Sequence, residues 1–146
     1  MRILITNDDG YSAEGIRALA LWATKLGEVT VIAPKVEQSG KSHAIDFTRP
    51  IEIKEVDEIP GVRTVYVDST PADCVRFAVL GRKEKFDLVI SGINRGLNIG
   101  RDIIYSGTVA AVFEAAALGT KGTRLSAMQL SEKLNTNSDS AGSSCP

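Results

Sequence analysis

Cysteine, histidine and aromatic residues are scarce in this chain of 146 residues, and each shortage narrows what it can do. Two cysteines, Cys74 and Cys145, make no disulfide framework; the first falls in a helical pattern and the second in a polar tail. Cys74 reads as a small core residue. The single histidine, His43, cannot build a histidine-rich metal centre. A lone loop histidine is ordinarily a surface group, with protonation of a leaving group as the alternative. Trp22 and three tyrosines are scattered and offer no stacking platform for nucleic acid. Charge of one sign is also missing: 17 basic residues face 18 acidic ones, which excludes a polybasic surface and an acidic disordered chain. The apolar runs fall well short of the ~18 residues of a membrane span. No basic stretch followed by an apolar one opens the chain, so a cytoplasmic protein with no membrane partner is expected.

The composition that remains, 43% hydrophobic and 24% charged, suits one soluble domain with a real core. Its first strand should run from Arg2 to Thr6, a continuous apolar segment buried on both faces. Ile16, Leu19, Ala20, Ala23 and Leu26 recur at helical spacing, and Gly27 follows at the expected C′ position. Val29 to Ala33 repeats the strand pattern before Pro34. Strand, helix, strand in this order predicts a βαβ unit and a parallel sheet. Beyond the long polar loop "APKVEQSGKSHAI", residues 51–56 alternate strictly, as an edge strand of a hairpin would. Val65 to Val67 makes another strand. "TPADCVRFAVLG" predicts a helix with Thr70 as N-cap, Pro71 at N1 and Asp73 at N3. "FDLVISG" is a further buried strand, and "SGTVAAVFEAAALG" a last helix closed by Gly119. From Thr120 strand periodicity fades; "LSAMQLSEKL" would give one or two amphipathic turns, and "NTNSDSAGSSCP" has almost nothing to bury.

Three unusual segments fall after strands, where parallel sheets bind ligands: "NDDG", "EQSGKSH" and "SGINRGLNIG". Adjacent carboxylates at Asp8 and Asp9 repel one another; they either cap a turn or hold a hard divalent cation, and Asn94 could add a neutral oxygen. "SGKS" is no P-loop, because Lys35 stands where the first glycine is required. Ser39 and Ser42 still carry hydroxyls, and Gly40 lets backbone approach a ligand closely. Gly92, Gly96 and Gly100 do not follow GxGxxG, so a dinucleotide fingerprint is absent and backbone at positive φ is expected. Ser106, Gly107 and Thr108 open the last helix, where an N-cap and an anion site at the dipole's positive end can coexist.

"ILITNDDG", "TPADCV" and "DLVISGINRGLNIGRDIIYSGTVAA", in this order, closely resemble the SurE family, the stationary-phase survival proteins. The resemblance runs through about the first 119 residues. It implies a Rossmann-like, three-layer α/β fold with a mostly parallel sheet. It further implies a metal-dependent phosphatase acting on nucleoside 5′-monophosphates, with some activity on 3′-nucleotides and polyphosphate. On that resemblance Asp8, Asp9, Ser39 and Asn94 hold one Mg²⁺ or Mn²⁺, the two aspartates being catalytic. Ser106, Gly107 and Thr108 then hold the phosphate, with Asn98 nearby, and homodimers or homotetramers are expected. Two departures stand out. Ser69 precedes "TPADC" where the family often has glycine, a local change. The end, from Thr120, resembles neither the further core strand nor the extended arm of the family, so residues 120–146 are expected to be a divergent, partly disordered tail after a core of residues 1–119. Two rival readings remain at this point: a phospho-receiver domain, with Asp57 and Lys121 nominated, and an inactive truncated fragment.

Overall fold

The structure, a computed structural model, describes residues 1–96 and 99–127. Strand β1 (Arg2–Thr6) lies at the centre of a six-stranded sheet in the order β3-β4-β2-β1-β5-β6. Its neighbours are β2 (Glu28–Pro34) and β5 (Leu88–Arg95), both parallel to it, with Ile3 paired to Val29 on one side and Leu88 on the other. A strand flanked on both edges and covered on both faces must be apolar throughout, and Ile3, Leu4 and Ile5 are fully buried. Strand β4 (Val62–Val67) runs parallel to β2, and β3 (Ile53–Ile59) closes that edge antiparallel to β4. The alternation near residue 51 therefore does mark an edge strand, shifted two residues along the chain.

Helix α1 (Glu14–Ala23) covers one face of the sheet, packing Ile16, Leu19, Ala20 and Ala23 against Ile3, Ile5 and Val31. Helices α2 (Pro71–Arg76), continued by a π-helical turn over Phe77–Gly81, and α4 (Gly107–Ala117) cover the other face, over Leu4, Ile32 and Val89. Helices on both faces of a mostly parallel sheet make the expected three-layer α/β architecture. Thr70 caps α2 as the sequence indicates: its hydroxyl accepts from Asp73 N–H at 3.2 Å and donates to the Ala44 carbonyl at 2.7 Å. Cys74 is fully buried, and desolvation pushes its thiol well above the ordinary range, so it packs without reacting. Among the described residues no helix is long and apolar enough to cross a membrane.

Three expectations are corrected. Helix α1 ends at Ala23, leaving Leu26 45% exposed, and Gly27 serves another purpose: a methyl group there would overlap the Met1 carbonyl oxygen. A four-residue helix, α3 (Asp102–Tyr105), interrupts the glycine-rich loop before α4. Strand pairing continues beyond Thr120: β6 (Gly122–Ala127) lies parallel to β5, with Val89 opposite Gly122. Its side chains are half-buried or exposed in alternation, as at a sheet edge, and so it lacks an apolar run. The remainder of the expected tail, residues 128–146, lies outside the described residues.

Candidate active site

Asn7 answers why a buried strand should end in two acids. Its side-chain amide donates to the Gly10 carbonyl at 2.9 Å, and its oxygen accepts from Gly10 N–H at 3.1 Å. Gly10, at φ 106°, completes the turn. This closed turn presents Asp8 and Asp9 at the carboxyl end of the central strand. Asp8 is buried, 5% exposed, and two groups hold it: the Thr108 hydroxyl donates to its Oδ1 at 2.7 Å, and its carbonyl accepts from Gln38 N–H at 2.7 Å. The first contact ties β1 to the start of α4, and the second ties it to the loop carrying Ser39.

These elements enclose a cleft of about 250 Å³, lined by Asp8, Ser39, Gly40, Asn94 and Ser106 together with Arg95, Asp102 and Tyr105. Ser39 is exposed and donates to Glu37 Oε1 at 2.6 Å, while Gly40 sits at φ 72° in the adjoining turn. Asn94 sends its amide nitrogen to the Gly96 carbonyl at 3.2 Å, which orients the side chain. The expected positive φ values occur at Gly92, Gly96 and Gly100. Asn98 lies outside the described residues.

At α4, Ser106 is the N-cap and accepts from Val109 N–H at 3.3 Å. The amides of Gly107 and Thr108 belong to the first turn, which has no intrahelical acceptors. They remain as donors at the positive end of an eleven-residue helix. Gly107 must be glycine: an added Cβ would stand 2.9 Å from Asp8 Cβ and 3.1 Å from Pro71 Cγ. Thr108 differs from the simplest expectation, since its fully buried hydroxyl is committed to Asp8 and only its backbone is left for an anion.

Burial, the charge of Asp8 and then that of Glu37 raise the Asp9 carboxyl above its usual value, against the opposing Arg95. Folded Asp9 thus holds its proton more tightly than unfolded Asp9. Its burial costs nothing below the ordinary carboxylate range, and the cost appears as pH rises from about 4 through the raised value. Asp9→Asn should therefore raise the metal-free melting temperature at pH 7. The gain should vanish in melts at pH 3.5; an equal gain at both pH values would remove the electrostatic explanation.

Arg95, Asp102 and Tyr105 escaped sequence reasoning as cleft residues. Arg95 could have been suspected, since it follows Asn94 at the end of β5; the other two depend on α3, which has no periodic signal. The receiver reading is overturned by topology. Asp57 lies on antiparallel β3 beside the amino end of β4, and Lys121 stands beside the amino end of β5, so both are at the end of the sheet opposite the cleft.

A mostly parallel sheet with helices on both faces defines the class, an α/β protein, and its polar cleft lies at the strand ends, where such sheets bind ligands. The family model "Survival protein SurE" matches residues 3–144, and the chain belongs to the SurE family. It is 44% identical over 135 residues to "5'-nucleotidase SurE" of Thermosipho melanesiensis, a match covering 92% of this chain and 53% of that protein. A protein of the same name from Myxococcus xanthus is 52% identical over 120 residues, 81% of this chain and 44% of its own. The crystal structure of the SurE protein from Aquifex aeolicus superimposes with a TM-score of 0.77 at 43% identity, covering 88% of this chain and 51% of that one. The chain thus spans about half the length of the relatives it matches.

Proposed function

We propose that the cleft hydrolyses phosphomonoesters of nucleosides, 5′-monophosphates foremost, with the help of one divalent cation. The observation that carries the reading is the hydrogen bond from Thr108 to Asp8, which joins a carboxylate at the end of β1 to the amides that open α4. A cation seat and an anion seat then share one wall. Similarity to relatives named 5'-nucleotidase supports the same reaction.

The donors present fit a hard cation. Asp8 lines the cleft and Asp9 follows it in the same turn, its proton affinity raised by burial first and by the charge of Asp8 second, so a positive charge beside the pair would favour both carboxylates. Ser39 and Asn94 add neutral oxygens across the same cleft. Among the described residues no group of three or more histidines, cysteines and acids gathers to hold a metal; the donor set proposed is the two acids with the oxygens of Ser39 and Asn94. Such a donor set suits Mg²⁺ or Mn²⁺, which keeps positions for water and phosphate oxygens. When bound, the ion would supply charge neutralisation at the phosphoryl oxygens.

The chain's own residues do the rest. Asp8, fixed by Thr108, sets the distance between the cation seat and the phosphoryl seat. Gly107 and Thr108 N–H groups, aimed by the cap at Ser106, hold the equatorial oxygens, and Arg95 adds a positive charge at the rim. The net reaction adds water to phosphorus and releases the nucleoside and inorganic phosphate. Because these residues hold the phosphoryl group, 3′-monophosphates and polyphosphate ends could enter as well. Release of phosphate from 5′-AMP with and without Mn²⁺ tests the reading: metal-dependent turnover is expected, and turnover equal in excess chelator would refute it.

A further inference from the structure

Glu37 belongs to none of the motifs that carry the family resemblance, and the phosphatase reading leaves it without a task. Two backbone hydrogen bonds nevertheless hold its loop against the acidic turn. Tyr11 N–H donates to the Pro34 carbonyl at 2.9 Å, and Gln38 N–H donates to the Asp8 carbonyl at 2.7 Å. The chain between them passes close to Gly10, where an added Cβ would lie 3.6 Å from the Pro34 carbonyl oxygen and 3.9 Å from the Glu37 nitrogen. The backbone of Glu37 is thus fixed beside the turn, although the residue is exposed.

Its carboxylate meets the candidate cation seat in two ways. Oε1 accepts the hydrogen bond from Ser39 Oγ at 2.6 Å. Its negative charge also reaches Asp9, where it follows burial and Asp8 among the causes that raise that carboxyl. An exposed hydrogen bond of this kind adds little to the fold, because water would satisfy both groups equally. Its consequence lies in where the Ser39 proton points. A serine hydroxyl carries one proton and two lone pairs. Left free in a cleft that Asp8 also lines, it would gain by donating to that carboxylate, and its proton would face the seat. Glu37 takes the proton instead and leaves both lone pairs for a cation.

We propose that Glu37 is a positioning residue of the cation seat, turning the Ser39 oxygen toward the ion and adding a negative charge beside the two aspartates. The proposal rests on the cation seat of the phosphatase reading. Groups that hydrogen-bond to a metal's ligands fix the orientation of those ligands, and losing one weakens binding by roughly 10–100-fold. Orientation is the larger part here, since an exposed carboxylate acts on the ion through water, where charge is screened.

The experiment titrates the full chain with Mn²⁺ and follows the paramagnetic resonance signal of the free ion. Glu37→Ala should weaken binding about tenfold. Glu37→Gln keeps an oxygen to accept the Ser39 proton and loses only the charge, so its affinity should return to within about threefold of the parent chain. Once Ser39→Ala has removed the hydroxyl, nothing is left to turn, and adding Glu37→Ala should cost no more than about threefold further. Both residues are exposed, so metal-free melts of all the variants should stay within about 2 °C of the parent. Unchanged affinity in Glu37→Ala overturns the positioning role and leaves the cation seat standing. A loss as deep in Glu37→Gln as in Glu37→Ala, repeated in full beside Ser39→Ala, also overturns it, because Glu37 would then act on the ion without Ser39. If the parent chain binds no Mn²⁺, the cation seat itself fails and the role of Glu37 falls with it.

Discussion

Asp8→Asn is expected to lower Mn²⁺-dependent release of phosphate from 5′-AMP by about 10³-fold, the equivalent of roughly 4 kcal/mol of transition-state stabilisation. Asparagine keeps the shape of the side chain, and its Oδ1 can still accept the Thr108 hydrogen bond now made to Asp8. The metal-free fold should therefore survive, with a melting temperature near that of the parent chain. What disappears is the formal negative charge that faces Asp9 across the turn. Mn²⁺ at a hundredfold excess over its dissociation constant should stabilise the parent chain by about 2.7 kcal/mol. That corresponds to a rise of roughly 5–10 °C in melting temperature. In the variant, the rise at the same concentration should be below about 2 °C. Both losses are needed together. A variant that loses turnover but keeps the full thermal response to Mn²⁺ would separate the cation seat from Asp8. One that keeps turnover within tenfold would remove Asp8 from the chemistry.

The parts of this site that could be read from the sequence are those encoded locally. A continuous apolar run ending in Asn-Asp-Asp-Gly specifies a central strand and its turn, because burial on both faces and a tight turn each demand particular residues. Thr70, Pro71 and Asp73 spell a helix start in four positions, and Ser106 does the same for α4. What stayed hidden depends on contacts between distant residues. Glu114 reads as one charge on an Ala-rich helix, and nothing local says that Arg76 and His43 meet it from 38 and 71 residues away. Strand β6 was missed because an edge strand needs only half its side chains sheltered; Gly122, Arg124 and Ser126 satisfy that without an apolar pattern. Leu26 shows the opposite failure, an apolar residue continuing the helical period after the helix has ended. The periodicity was real, and the chain's return to β2 past Met1 overrode it.

Gly92→Ala should prove a costly single methyl group, and the reason lies in how Asn94 reaches the cleft. Between Ser91 and Asn94 the register of β5 against β6 slips: Ser91 pairs with Arg124, but Asn94 pairs with Ser126, so three steps along β5 match two along β6. The extra residue makes a bulge, and a bulge re-aims the side chains beyond it. Gly92 supplies that bulge at φ 146°, outside the range L side chains ordinarily adopt. A Cβ there would also overlap the Leu125 carbonyl oxygen and stand 3.2 Å from the Leu125 carbonyl carbon. Relief requires β6 to move outward or the bulge to flatten, and a flattened bulge turns Asn94 away from Asp8. The expected cost is about 3 kcal/mol, combining overpacking with backbone strain. In a domain of this size that lowers the melting temperature by roughly 6–12 °C. Gly61→Ala is the control. Gly61, in the β3–β4 turn at φ 73°, has open space around its missing side chain, so it reports the conformational cost alone, about 1–2 kcal/mol. Thermal melts of the two variants should differ by several degrees, and only Gly92→Ala should weaken the response to Mn²⁺. Equal melts would mean that the close approach to Leu125 carries no weight, and with it the argument that the bulge aims Asn94 at the carboxylates.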